Sequence, residues 1–221
     1  MHDYCWLLTR DYAEPSALKL VGDHFALTSR QRVAVMRSSC SDQSLRLRRE
    51  RRIASSALQD SQLLLDGYNV LITVEAALAG GVIFEGRDGC YRDLASLHGT
   101  FRTVEETAPA IERVGSFLAG TEYASCVWYL DAPVSNSSRL KALILQCARA
   151  HGWRWQVEVV RSPDAVLQAA RSIIATADSV VLDHCHQWFN LAREIIRVDV
   201  PGARVVDLSI PEGFDIPNCR A

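Results

Sequence analysis

From residue 61 onward, apolar and polar positions alternate between two rhythms. Short apolar runs (SQLLLD, SCVWYLD, WRWQVEVV, SIIATAD and ARVVDLSI) alternate with stretches of helical spacing. The helical stretches are ITVEAALAGG, which closes on two glycines, residues 103–119, residues 139–151, AVLQAA, and VVLDHCHQWFNLAREII. In residues 103–119, Ile111, Val114, Phe117 and Leu118 share one face, as an amphipathic helix requires. Continuous apolar runs of this length are typical of strands buried on both faces. Strand–helix alternation predicts an α/β fold with a mostly parallel sheet, flanking helices and right-handed crossovers. The charge-dense segment VIFEGRDGCYRDLASLHGTFR suits an ordered loop or short hairpin.

Residues 1–60 have a different pattern and read as helical. Tyr4, Trp6, Leu7 and Leu8 form an apolar patch, Pro15 suits the start of a second helix, and Thr28 is placed to cap a third. Two short helices around GDHFAL, with TSRQR opening the second, fit a DNA-reading helix-turn-helix or a small bundle docked on the main domain. The expected division is a helical unit over residues 1–58 and an α/β domain over 59–221. Between them SLRLRRERR places Arg46, Arg48, Arg49, Arg51 and Arg52 within seven residues. On a helix these make a stripe for phosphates or a solvated connecting face.

Charge adds a mild asymmetry. Residues 1–60 carry 10 Lys/Arg against 7 Asp/Glu, and the remainder 14 against 19, within a net charge of -2. A basic appendage on an acidic domain is compatible with nucleic-acid handling. No apolar run reaches the ~20 residues of a membrane span, and the N-terminus lacks a basic signal-peptide region. The seven cysteines include no CxxC, so reduced thiols and a cytoplasmic location are expected rather than a disulfide framework.

The chemistry lies where apolar runs end. Four lead to an aspartate: Asp66, Asp131, Asp164 and Asp178. Ends of parallel strands share one edge of the sheet, where α/β proteins bind ligands. Converging carboxylates repel, and a divalent cation is the natural remedy; an all-oxygen donor set favours Mg²⁺ or Mn²⁺. Such a metal activates water and stabilises a phosphodiester transition state. Each acid taken alone also reads as a strand-end residue or helix cap. Asp183, His184, Cys185 and His186 read as a helix face rather than a metal cluster, because consecutive residues on a helix diverge. Trp153, Trp155 and Trp188 read as core.

LLLDGYNVL, the strand ending YLDAP, SPDAVL and the T-x-D of IIATAD occur in this order over residues 61–210. They resemble the PIN-like nuclease superfamily, and in particular its NYN branch. The whole chain also resembles an uncharacterised domain-of-unknown-function family that joins a short helical unit to a PIN-like domain. The resemblance implies a Rossmann-like parallel sheet, hydrolysis of RNA, and a Mg²⁺ or Mn²⁺ site. Asp66 and Asp178 would be metal ligands, completed by Asp131 and Asp164. Asn69 would orient a ligand or water, and Glu75 would lie on the first helix. Asp88 and Asp93 would be supporting or substrate-contacting groups. Phosphates would be gripped by Arg46, Arg48, Arg49, Arg51, Arg52, Arg87, Arg92 and Arg102, with Asn136, Ser137 and Arg139 at a helix N-terminus. The expected partner is RNA, with assembly into a homo-oligomer left open. Against this nuclease reading stands a non-catalytic PIN-like RNA-binding or adaptor module. A haloacid-dehalogenase-type phosphatase also begins with hhhhDG, but it needs an acid two residues after its nucleophile, and this chain has Tyr68 there.

Overall fold

The computed structural model describes residues 1–94 and 104–210. It opens with four short helices, α1 (His2–Thr9), α2 (Glu14–His24), α3 (Ser29–Ser38) and α4 (Asp42–Arg51). Pro15 sits in the first turn of α2, where its missing N–H costs nothing. Thr28 and Gln31 form a capping box at α3, and Ser41 caps α4. Arg32 of α3 folds back onto the α2–α3 turn, donating to Leu27 O at 3.0 Å and to Asp23 at 2.8 Å. It lies so close over Gly22 that a Cβ there would meet the guanidinium. One arginine of TSRQR is therefore spent inside the unit.

After a 3-10 turn (Ser55–Leu58) come β1 (Gln62–Asp66), α5 (Gly67–Leu78), β2 (Val82–Glu85), β3 (Tyr91–Arg92), α6 (Thr107–Ala119) and β4 (Ser125–Asp131). They are followed by α7 (Ser137–His151), β5 (Trp155–Val160), α8 (Pro163–Ala169) and β6 (Ile173–Ala175). The described chain ends with α9 (Ser179–His184), β7 (Gln187–Phe189), α10 (Leu191–Asp199) and β8 (Arg204–Asp207). The main sheet has five parallel strands in the order β5-β4-β1-β6-β7.

The leucines of β1 show why the whole run is apolar. Leu63 and Leu65 join one core with α5, α6, α7 and α10, while Leu64 on the opposite face joins Ile174, Val181 and Trp188. Both faces are covered, so alternation of side chains does not require alternation of polarity. Trp128 and Trp155 lie 5.1 Å apart between ring centroids, and Trp188 is fully buried. Trp155 and Trp188 are core, as expected, and Trp153 packs partly buried against it.

Three features differ from the sequence expectation. The helix expected over VVLDHCHQWFNLAREII is broken after His184 by β7, which hydrogen-bonds beside β6. Trp188 anchors the break, donating its indole N–H to the Arg48 carbonyl at 2.7 Å. Secondly, β8 does not extend the main sheet. It pairs parallel with β2, which also forms a hairpin with β3, in a separate three-stranded sheet. Thirdly, Asp164 lies not at the end of β5 but in the first turn of α8, behind the cap Ser162.

The helical unit is docked rather than detached. The Ser38 carbonyl accepts from Arg87 N at 2.8 Å, and Arg37 donates to the Asp93 carbonyl at 2.9 Å. Among the described residues no helix is long and apolar enough to cross a membrane. The six described cysteines are free thiols.

Gly67 marks a close crossing of α5 over β4. A Cβ there would stand 2.8 Å from the Tyr129 carbonyl and 2.5 Å from Leu130. Backbone cannot yield as a flexible side chain can, so Gly67→Ala should destabilise the protein by about 1–3 kcal/mol. Urea denaturation would show this as a lower midpoint with an unchanged slope.

Candidate functional site

In the main sheet the chain runs outward from β1 in both directions, through β4 to β5 on one side and through β6 to β7 on the other. The crevice between β1 and β6 at their carboxyl ends is therefore the topological switch point, where ligands bind in such sheets. Asp66 ends β1 there, 7% exposed. It does not cap α5. Instead it accepts a hydrogen bond from Thr176 Oγ1 at 2.8 Å.

Thr176 also accepts from Asp178 N at 2.9 Å, and Asp178 caps α9 by accepting from Val180 N and Val181 N. The intervening peptide is clamped from two sides. Ala177 N donates to Asn69 Oδ1 at 2.7 Å, and Arg92 Nε donates to Ala177 O at 2.8 Å. Asn69 thus positions the T-x-D loop. That role follows from α5 beginning at Gly67, which aims Asn69 across the crevice.

Asp131 ends β4 half-buried, and Asp164 stands exposed on α8. The four acids share one electrostatic environment. Burial, with Asp178, Asp164 and Asp131 adding to it, pushes the Asp66 carboxyl up to about 7 against the opposing Thr176 hydrogen bond. Asp131 is raised by burial and by Asp164, and Asp164 by burial and by Asp178. Among the described residues none of the four meets a lysine or arginine. Nor are any three His, Cys, Asp or Glu side chains drawn tightly enough together to form a ready-made metal cluster. The expected convergence reaches a shared edge and mutual coupling, and stops short of a closed ligand cage. Like charges with nothing between them hold one another apart.

The supporting acids part company with these four. Glu75 is buried on α5 and accepts from Thr107 Oγ1 at 2.5 Å. Burial pushes its carboxyl up to about 7 against that bond, with Glu106 and Asp93 adding to the push. Asp93 accepts from Thr73 Oγ1 at 3.2 Å.

Asp88 has a different environment from the four edge acids. It is buried, with Arg92 bidentate on its carboxylate at 2.9 and 2.7 Å and Arg48 at 2.6 Å. Burial alone would raise its pKa, but the Arg92 and Arg48 guanidiniums hold it well below the usual carboxylate range. Arg48 also donates to Asp183 at 2.7 Å. Arg48 and Arg92 are thus paired with carboxylates inside the protein. Together they join the helical unit to the loop that carries Asp178.

Other expected grips are also engaged within the protein. Arg51 donates to the Asp183 carbonyl at 3.2 Å, Arg52 pairs with Glu194 at 3.3 Å, and Arg87 binds Asp42 and the Cys40 carbonyl. Arg46, Arg49 and Arg139 face solvent, and Arg102 lies outside the described residues. Asn136 precedes α7 in a left-handed conformation (φ 67°), Ser137 is buried, and no side chain caps the helix.

Two functional features escaped the sequence reading. One is Thr176, visible in T-x-D but with no signal that it holds Asp66. The other is a cleft of about 760 Å³ between the helical unit and the sheet edge. Asn69, Thr73 and Asp178 line one wall, and Tyr12, Met36 and Arg37 the other. The Tyr12 wall comes from chain far away in sequence and carries no local motif.

Fold and site define an α/β protein whose doubly wound parallel sheet carries an acidic carboxyl edge, with a helical unit closing one side. The chain belongs to the family described as "Domain of unknown function (DUF5616)", which matches residues 55–194. Residues 1–51 match a second family, "Protein of unknown function (DUF434)". A relative in Methanocaldococcus jannaschii, "Uncharacterized protein MJ0935", is 29% identical over 180 residues, covering 81% of this chain and 86% of its own. No solved structure matches the chain.

Two outcomes follow from these electrostatics. Removing one partner of a buried ion pair strands the other charges, so Asp88→Asn should cost about 3–5 kcal/mol in denaturant melts. Glu75 acts in the opposite sense. Its folded pKa is raised from 4.5 to about 7, so the native state holds a proton that the unfolded chain releases, and stability falls as pH rises through that window. Glu75→Gln should match the wild type near pH 4.5 and exceed it above pH 7 by on the order of 2 kcal/mol. Melts across that pH range would show the two curves diverging.

Proposed function

We propose that this protein is a metal-dependent phosphodiesterase of the PIN-like, NYN-type kind, acting on RNA. The observation that carries the reading is the uncompensated set of Asp66, Asp131, Asp164 and Asp178. Asp88 is neutralised by two guanidiniums, yet among the described residues no lysine or arginine pairs with the four coupled carboxylates. Such a donor set fits Mg²⁺ or Mn²⁺. Asp66 and Asp178 would hold the ion, with Asp131 and Asp164 completing its surroundings. Bound there, it would supply charge neutralisation and an activated water.

The chain's own residues supply the order. Thr176 fixes one Asp66 oxygen, leaving the other available to a ligand. Asn69 and Arg92 immobilise the Ala177 peptide, so Asp178 and Asp66 keep a fixed relation. Such preorganisation spares the reacting state the cost of arranging its dipoles. Arg46 and Arg139 are exposed and would attract a polyanion, in an interaction that weakens with salt.

Asp66→Asn should lower RNA cleavage by at least about 100-fold, the scale expected when transition-state charge stabilisation is lost. Its melting temperature should hold or rise, because the buried carboxyl is replaced by a neutral isostere. Calorimetric titration should show Mn²⁺ binding to the wild type and little to Asp66→Asn. Cleavage that survives this substitution would overturn the assignment. RNA binding without Mn²⁺ uptake or cleavage would favour the non-catalytic module.

A further inference from the structure

We infer that the cleft between the helical unit and the sheet edge is a subsite for one unpaired nucleobase of the RNA strand, with Tyr12 as its stacking surface. The assignment rests on the nuclease reading above and adds to it what the substrate must look like beside the cut.

Tyr12, Met36 and Val180 are three large apolar side chains left 53%, 39% and 54% exposed. They come from the α1–α2 link, from α3 and from the first turn of α9, yet all three line this one cleft. Isolated exposed apolar residues need no explanation. Three gathered from separate elements into a concavity, one of them two residues from Asp178, mark a place where an apolar surface is to be covered. Val180 donates its backbone N–H to Asp178, so whatever rests on it lies directly beside the acidic edge.

The charges of the cleft select the part of a nucleotide that fits. Asp11, Glu14, Asp93 and Asp178 all line it. Of the arginines that line it, Arg48 and Arg92 are taken up by Asp88, and Arg37 donates to the Asp93 carbonyl. A sugar–phosphate backbone would be repelled there. A neutral base has apolar faces for Tyr12 and Met36. The volume of about 760 Å³ falls within the roughly 300–1,000 Å³ typical of small-ligand sites. A base can enter between two walls only when it is unpaired and unstacked, so the site should refuse continuous duplex. The helical unit would then contribute specificity from its Tyr12 wall while Arg48 holds the opposite wall in place.

The test uses the full chain carrying Asp66→Asn, with Mn²⁺ and a short single-stranded RNA of adenines and 2-aminopurines. Binding should quench 2-aminopurine fluorescence through stacking. Adding Tyr12→Ala should abolish the quench and weaken binding roughly tenfold, the scale of one base–aromatic stack. Tyr12→Phe should retain both, and the same strand annealed to its complement should bind without a Tyr12-dependent step. If wild-type protein cuts RNA while quench and affinity ignore Tyr12→Ala, the base subsite is wrong and the nuclease reading stands. If binding depends on Tyr12 but the wild type cuts nothing, the subsite holds and the hydrolytic reading falls. If the wild type neither binds nor cuts the strand, both are overturned.

Discussion

The Asp88 carboxylate receives two guanidiniums in a buried setting, and much of the site's geometry follows from that contact. Arg92, held bidentate, reaches the Ala177 carbonyl with its Nε–H. Arg48 comes from the helical unit and continues to Asp183 on α9, the helix that Asp178 begins. A buried ion cluster of this kind adds little net stability against an apolar equivalent. What it supplies is direction. Planar guanidiniums in fixed forks fix the peptide between Thr176 and Asp178 in one orientation, and apolar packing would leave that orientation free.

The same molecule treats its acids in two opposite ways. Asp88 is lowered by two close cations, while Asp66, equally buried, is raised to about 7 by burial and by three other aspartates. Chains seldom bury a carboxylate without a partner, because the charged form loses its hydration. Here the arginines that might have served Asp66 are committed elsewhere. A raised carboxyl in a crevice, coupled to further acids, is the arrangement on which the proposed metal site rests.

The sheet was legible in the sequence because burial on both faces writes long apolar runs. β1 and β4 ended where the apolar runs ended, at Asp66 and Asp131. The carboxyl-edge placement of Asp66, Asp131 and Asp178 could be read for the same reason, since a parallel sheet has only one such edge, whereas Asp164 stands beyond its strand in α8. β7 was not legible. Three residues, QWF, carry no period, and the flanking apolar residues continue a helical rhythm through it. The partner of β8 was equally hidden, because pairing between β2 and β8 spans more than a hundred residues. The arginines misled for a related reason. A run such as RLRRERR fixes charge but not surroundings, and whether Arg48 meets phosphate or Asp88 depends on a turn that sequence spacing does not reveal.

The two families matched along the chain meet between residues 51 and 55, and this junction is itself part of the fold. Arg52 bridges to Trp188 on the outer edge of β7, and Ile53 N donates to the Trp188 carbonyl at 2.9 Å. Four residues earlier, Arg48 enters the ion cluster that fixes the T-x-D loop. A connection that closes a sheet edge and positions a candidate ligand loop is not a tether between independent modules. Separating the segments would expose the backbone of β7 and leave Asp88 with one guanidinium where it has two. The juxtaposition of the helical unit with the acidic edge therefore has a physical cause. The unit completes the loop that holds Asp178, and in docking there it also forms the far wall of the cleft.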